Sequence, residues 1–206
     1  MALDTPPQGI RVVGRYVLLA AVAVLVLFPV YAMVVASLKP GNKALTDPLV
    51  PSDLTLDTLR AAWSDGHLAR FLLNSLVVAG VVTIAQVVTS VLAAYAFAFL
   101  DFPFKRLIFA VFLATLLVPA EVTLLVNRRT VDSLGWLNTY RGLTVPFLAS
   151  AFGIFLVRQV FLSLPGEMRE AAQMDGVGHL GFLREVAVPM ARPTIGALAL
   201  FSFLGT

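Results

Sequence analysis

The residues of this chain that could do chemistry gather in one stretch, SLPGEMREAAQMDGVGHLGFLREVAVPMARP, from Ser163 to Pro193. It combines charge with helix-forming residues and lies between two apolar runs, so it reads as a folded loop outside lipid. Within it Glu170, Ala171 and Ala172 stand together, three residues precede Gly176, and nine more precede Val186-Ala187-Val188-Pro189. The chemistry such residues offer is recognition. A carboxylate at Glu170 can pair with a basic group across an interface, and two alanines let a second surface approach closely. A solvated surface charge is the plain alternative for Glu170.

The element that must present these residues is a short helix. Ser163 and Pro165 predict its start, because a hydroxyl caps orphan N–H groups and proline is tolerated in a first turn, with Glu167 near the positive end of the dipole. Met168, Ala171 and Ala172 then fall at helical spacing as a narrow apolar face. Gly176 predicts the stop, since glycine enters the left-handed conformation without a Cβ penalty. A second short helix follows, with Leu180, Leu183 and Ala187 on one side and Phe182 with Val186 on another, and Pro189 ends it.

This spacing resembles the EAA loop of the permease subunits of ATP-binding-cassette importers, EAA, three, G, nine, I-x-L-P. Val186 and Val188 stand where that pattern has isoleucine and leucine. The flanks RQVFLSLP and MARPTIGALALFSFLGT resemble the carbohydrate-uptake branch, and the likeness extends from the first hydrophobic run to Thr206. It implies that Glu170, Ala171, Ala172, Asp175, Gly176 and Pro189 couple the chain to an ATPase. It also implies an all-α membrane protein, a polytopic type I-like helix bundle of the cytoplasmic (inner) membrane of a prokaryote. Residues 1–15 would be a cytoplasmic segment and 16–206 the permease domain, with the coupling loop at 163–193.

Composition agrees with a membrane protein. In 206 residues, 59% are hydrophobic and 13% charged, against roughly 45–50% and 25% in soluble domains. The net charge of +3 comes from scattered basic residues without a stripe, so nucleic acid is not an expected partner. Cysteine is absent, which excludes disulfides and thiolate metal sites. His67 and His179 fall in different loops on opposite membrane sides, so no shared metal site is expected.

Along the chain, Tyr16 to Leu38 carries no charge and is long enough to cross the hydrocarbon core as a retained helix. Lys39 to Arg70 is a loop in which Leu56, Leu59 and Trp63 predict a short surface helix after Thr55; the resemblance makes this loop a place to receive a substrate-binding protein. Phe71 to Leu100 predicts a second crossing, in which Ser90, Ala94 and Ala98 form a small-residue ridge for a close helix neighbour. The connector Asp101–Arg106 predicts a tight turn, and Leu107 to Val126 a third crossing. The fourth runs from about Gly142 to Leu162, with Arg158 reaching headgroups. A fifth begins at Pro193 and spans about 21 Å to Thr206, short of the roughly 30 Å core. The family pattern has about six crossings, of which about five are present, so the chain reads as a fragment. Basic residues are shared almost equally between the two sides, so orientation comes from the resemblance.

Polar residues at membrane depth mark a possible translocation path: Glu121, Gln86 and Thr115. Each could instead bond a neighbouring helix or, for Glu121, reach the interface. No GxxxxGK[ST], GxSxG or HExxH pattern occurs, so the chain is not expected to be an enzyme or to hold a cofactor. ATP would belong to a partner. The implied assembly has two ATPase subunits, a second permease subunit in a heterodimer and an extracytoplasmic substrate-binding protein, and it imports a carbohydrate or a polyol phosphate such as glycerol 3-phosphate. The rivals are an ion-gradient-driven secondary transporter, for which one intramembrane acid is thin support, and a passive membrane scaffold.

Overall fold

The structure is a computed structural model and describes residues 8–41 and 49–206. The expected N-terminal segment and the loop after Lys39 lie partly outside the described residues. The chain divides into two units, Met1–Leu72 and Leu73–Thr206.

The first unit carries α1 (Gln8–Ser37) and α2 (Asp57–Ser64). Leucine, valine and alanine all round make α1 a rod without a polar face, exposed along most of its apolar length until the last turn, where Val35 is buried. Polar helix α2 begins where the Thr55 hydroxyl accepts the Asp57 N–H at 3.1 Å. It carries Trp63 exposed on its surface, as the spacing predicts.

The second unit is built on α3 (Leu68–Phe99, its first turn in the first unit), α4 (Lys105–Thr115), α5 (Ala120–Ser133), α6 (Tyr140–Thr144) with a 3-10 turn Val145–Phe147, α7 (Ala151–Leu162), α8 (Gly166–Met174), α9 (His179–Phe182) and α10 (Val188–Gly205). A π turn, Leu183–Ala187, joins α9 to α10. The small-residue ridge is where the core closes: Ser90 and Ala94 are fully buried, and a Cβ on Gly153 of α7 would run into the Ser90 hydroxyl and the Leu198 methyls of α10. Three helices therefore meet at one crossing of backbone-sized residues.

By length and apolarity, three helices qualify as spans among the described residues: Val12–Ser37, Leu68–Phe99 and His179–Gly205. A fourth arises if Tyr140–Phe147 and Ala151–Leu162, bent by 41°, count as one. Several expectations are corrected here. Leu107–Val126 is not one helix. Its backbone tightens into i→i−3 bonds at Leu116, Leu117 and Val118 and restarts at Ala120, because Pro119 lacks an N–H and biases its predecessor away from the helical region. The fourth crossing is broken at Leu148–Ser150 for a related reason, around Pro146, with the Ser150 hydroxyl accepting the Gly153 N–H to cap α7.

The last crossing does not begin at Pro193, nor does Pro189 end a helix. Proline at the start of α10 needs no N–H partner of its own, and the preceding π turn, closed by the Val188 N–H on the Leu183 carbonyl, carries the helix across. His179–Gly205 is one span of 27 residues. Arg158 does not reach for headgroups. Its Nε donates to the Phe97 carbonyl at 3.1 Å and its guanidinium lies 4.1 Å from the Phe109 ring centroid, tying α7 to the carbonyl end of α3 and to α4.

Candidate functional site

The motif loop folds into a hairpin of α8 and α9. Its start differs from the expected cap. Pro165 occupies the N-cap position, while Ser163 ends α7 and its hydroxyl turns back to the Val160 carbonyl at 2.8 Å. The elbow is as expected, with Gly176 at φ +74°. The Val177 N–H bonds the Ala172 carbonyl at 2.8 Å and the Gly176 N–H bonds the Gln173 carbonyl at 3.1 Å, the paired closure of a Schellman motif, which requires a left-handed residue between them.

This geometry divides the motif residues. Glu170, Ala171, Asp175 and Gly176 are exposed, whereas Ala172 is buried against the chain's own core. Ala172 therefore gives close approach between α8 and its own helices, and Ala171 is the alanine left for a partner. Pro189 is half-buried in the spanning helix, away from the elbow. Leu180, expected beside Leu183 and Ala187, is instead 77% exposed in the short α9, while Leu183 and Ala187 are both buried. With Met174, 86% exposed, it places two large apolar side chains beside the acidic ones.

Under the hairpin is an aromatic socket that the sequence reading missed. Tyr95 of α3 lies 5.1 Å from Phe99, 6.4 Å from Phe161 of α7 and 6.5 Å from Phe182 of α9, ring centre to ring centre. Its hydroxyl is 3.1 Å from His179 Nδ1. Arg169 of α8 lies over Phe99 at 5.8 Å. The hairpin is thus keyed into α3 and α7 by rings and a hydrogen bond. The signal available in the sequence was Tyr95 and Phe99 four residues apart near the end of a span. Between Tyr95, Arg169, Gln173, Gly178 and His179 a cavity of about 300 Å³ remains open.

The expected path residues do not form one site. Gln86 of α3 donates to the Phe147 carbonyl at 2.8 Å and accepts from the Ser202 hydroxyl at 2.7 Å, and Thr89 donates to the Leu148 carbonyl at 3.1 Å. These bonds occupy carbonyls freed by the break before α7, which bare hydrocarbon would leave unsatisfied. A cavity of about 210 Å³ opens beside Gln86, Ser150 and Ser202. Thr115 merely returns its hydroxyl to the Phe112 carbonyl at 2.6 Å. Glu121 is exposed in the first turn of α5 and shares a shallow depression with Arg129.

Comparison with known proteins joins these features. Residues 86–206, which hold Gln86, the ridge and the hairpin, match the family described as binding-protein-dependent transport system inner membrane component. The chain is 35% identical over 197 residues to the sn-glycerol-3-phosphate transport system permease protein UgpE of Brucella suis biovar 1 (strain 1330), covering 91% of this chain and 70% of that one. It is 36% identical over 203 residues to the UgpE of Agrobacterium fabrum (strain C58 / ATCC 33970), covering 94% and 72%. Its fold superposes with a TM-score of 0.76 and 25% identity on a solved bacterial ABC transporter involved in import of the acidic polysaccharide alginate, covering 99% of this chain and 73% of that one. A helical bundle with apolar rods, an EAA hairpin and these likenesses has one reading: the chain belongs to the inner-membrane permease family of binding-protein-dependent ABC importers, as a multi-pass protein of the cytoplasmic membrane.

Proposed function

We propose that this permease imports a carbohydrate or polyol phosphate, with sn-glycerol 3-phosphate the first substrate to test, in an assembly of two ATPase subunits, a second and different permease subunit and an extracytoplasmic binding protein. The names of the UgpE relatives support the substrate class. ATP is held and hydrolysed by the ATPase subunits. This chain supplies the route and the mechanical link.

The observation that carries the link is the division of the EAA hairpin. Glu170, Ala171 and Asp175 are exposed with Met174 and Leu180, while Ala172, Phe182, Leu183 and Ala187 are buried in the chain's own core. An apolar patch beside acids suits a partner surface with a greasy groove and a basic rim. A partner that moves the exposed face moves the buried one with it. Glu170 pairs with a basic group of the ATPase in this reading, and Gln86 with Ser202 lines part of the route.

The test is uptake of labelled sn-glycerol 3-phosphate into proteoliposomes containing the whole importer. Glu170→Lys should leave ATP hydrolysis running while uptake falls, since a like charge would then face the basic rim. Unchanged uptake in that variant would overturn the coupling role. Uptake of a neutral sugar with no response to glycerol 3-phosphate would overturn the substrate.

A further inference from the structure

The hairpin presents a second feature of opposite sign. Beside the acidic face of α8, the cavity of about 300 Å³ at the elbow has, among the described residues, Arg169 as its one permanently charged wall and no Asp or Glu in its lining. Its other polar walls are rich in donors. Gln173 offers an amide, and His179, with Nδ1 held by the Tyr95 hydroxyl at 3.1 Å, carries its proton on Nε2 when that hydroxyl donates. Arg169 makes no ion pair within 4.0 Å among the described residues and rests on the Phe99 face. A partly buried guanidinium over an aromatic ring, lining a hollow whose other polar walls can donate hydrogen bonds, suits a carboxylate.

We propose that this hollow is a socket for an acidic side chain of the ATPase, so that the hairpin is gripped by two ion pairs of opposite polarity. This rests on the coupling role given to the hairpin above. Charge complementarity supports it, together with position: Gln173, Gly176 and His179 are exposed at the mouth, on the same elbow that carries Asp175, Met174 and Leu180. Two pairs of opposite sense also fix orientation, because turning the hairpin end over end would bring like charges together.

The chain has no cysteine, so Gln173→Cys places a single thiol at the mouth. In the assembled importer that thiol should be shielded from a charged maleimide, and a short bifunctional cross-linker should join it to an ATPase segment bearing an Asp or Glu. Arg169→Glu should lower substrate moved per ATP by about tenfold or more, as like-charge contacts do, and exchange of the ATPase acid for Arg should restore it. Restoration separates a charge pair from simple loss of the Phe99 stack. A thiol labelled equally with and without the ATPase would overturn the socket, as would a cross-linked segment lacking an acid or a failure of the charge swap. Protection by inorganic phosphate in the permease without its ATPase would also overturn it, in favour of a free-anion site. If Glu170→Lys uncouples while Arg169→Glu does not, the socket fails and the coupling role stands.

Discussion

Replacing Gly176 separates backbone from charge at the hairpin elbow. At φ +74° an alanine pays the left-handed penalty of about 1–2 kcal/mol, partly offset by about 0.4–1 kcal/mol from the stiffer unfolded chain. A Cβ there meets nothing within 4 Å, so the penalty is conformational and owes nothing to crowding. Asparagine tolerates this conformation, and valine, branched at Cβ, does not. The Schellman closure should therefore weaken in the order Gly, Asn, Ala, Val, with the correctly bent hairpin losing roughly fivefold to thirtyfold in population at the severe end. Aspartate shares asparagine's tolerance but adds a charge beside Asp175 at the carbonyl end of α8, locally worth only about 0.3–1 kcal/mol. If Gly176→Asp uncouples far more strongly than Gly176→Asn, the excess belongs to the ATPase contact. The assay is ATP hydrolysed per substrate imported in proteoliposomes, alongside the amount of ATPase that co-purifies with the permease. A valine variant as well coupled as the asparagine one would refute the elbow argument outright.

Other expectations are simpler to read. Gly153→Ala should cost about 1–3 kcal/mol through overpacking. Ser90→Ala should recover part of it, because the Ser90 hydroxyl obstructs the new methyl and is buried without a hydrogen-bond partner; strictly additive melting shifts for the pair would contradict the crossing described here. Arg158→Lys should lower the melting temperature although charge is kept, since lysine cannot both bond the Phe97 carbonyl and stack flat on Phe109. Equal stability would return Arg158 to the headgroups. Gln86→Leu should destabilise by about 1–2 kcal/mol, leaving the Phe147 carbonyl and the Ser202 hydroxyl unmatched, and the loss should appear as a lower melting temperature of the assembled permease in detergent.

Legibility followed the range of the interaction. Gly176 could be read because one residue's backbone freedom decides an elbow. The ridge of Ser90 and Ala94 could be read because a small-residue period states that something comes close, although not that it would be Gly153. Class and membrane residence followed from continuous apolar runs. The breaks at Leu116–Pro119 and Leu148–Ser150 were harder, because hydropathy continues through them while the backbone does not. What repairs the second break lies far off in sequence, on Gln86 and Thr89. The socket under the hairpin was hard to read for the same reason: Tyr95, Phe161 and Phe182 come from three helices, and the local pair Tyr95 and Phe99 does not announce the other two rings.

Pro189 is the instructive error, because correcting it changes the mechanics. A helix stop there would leave α9 a separate small rod, joined to the membrane by a joint able to absorb motion. The chain instead passes from His179 to Gly205 in one span. The wide turn at Leu183–Ala187 takes up the geometry that a proline would otherwise break, and π turns of this kind often mark functional sites in helices. Phe182, Leu183, Ala187, Ala191 and Leu198 are buried along that span, so it is gripped by α3 and α7 from the elbow to the crossing at Gly153. In the coupling proposed above, a displacement of the exposed elbow would be carried along this span as by a lever and would arrive at Ser202, whose hydroxyl donates to Gln86 beside the broken crossing. Continuity past Pro189 thus links the hairpin to the polar cluster within one element, with no loop in between to dissipate the movement.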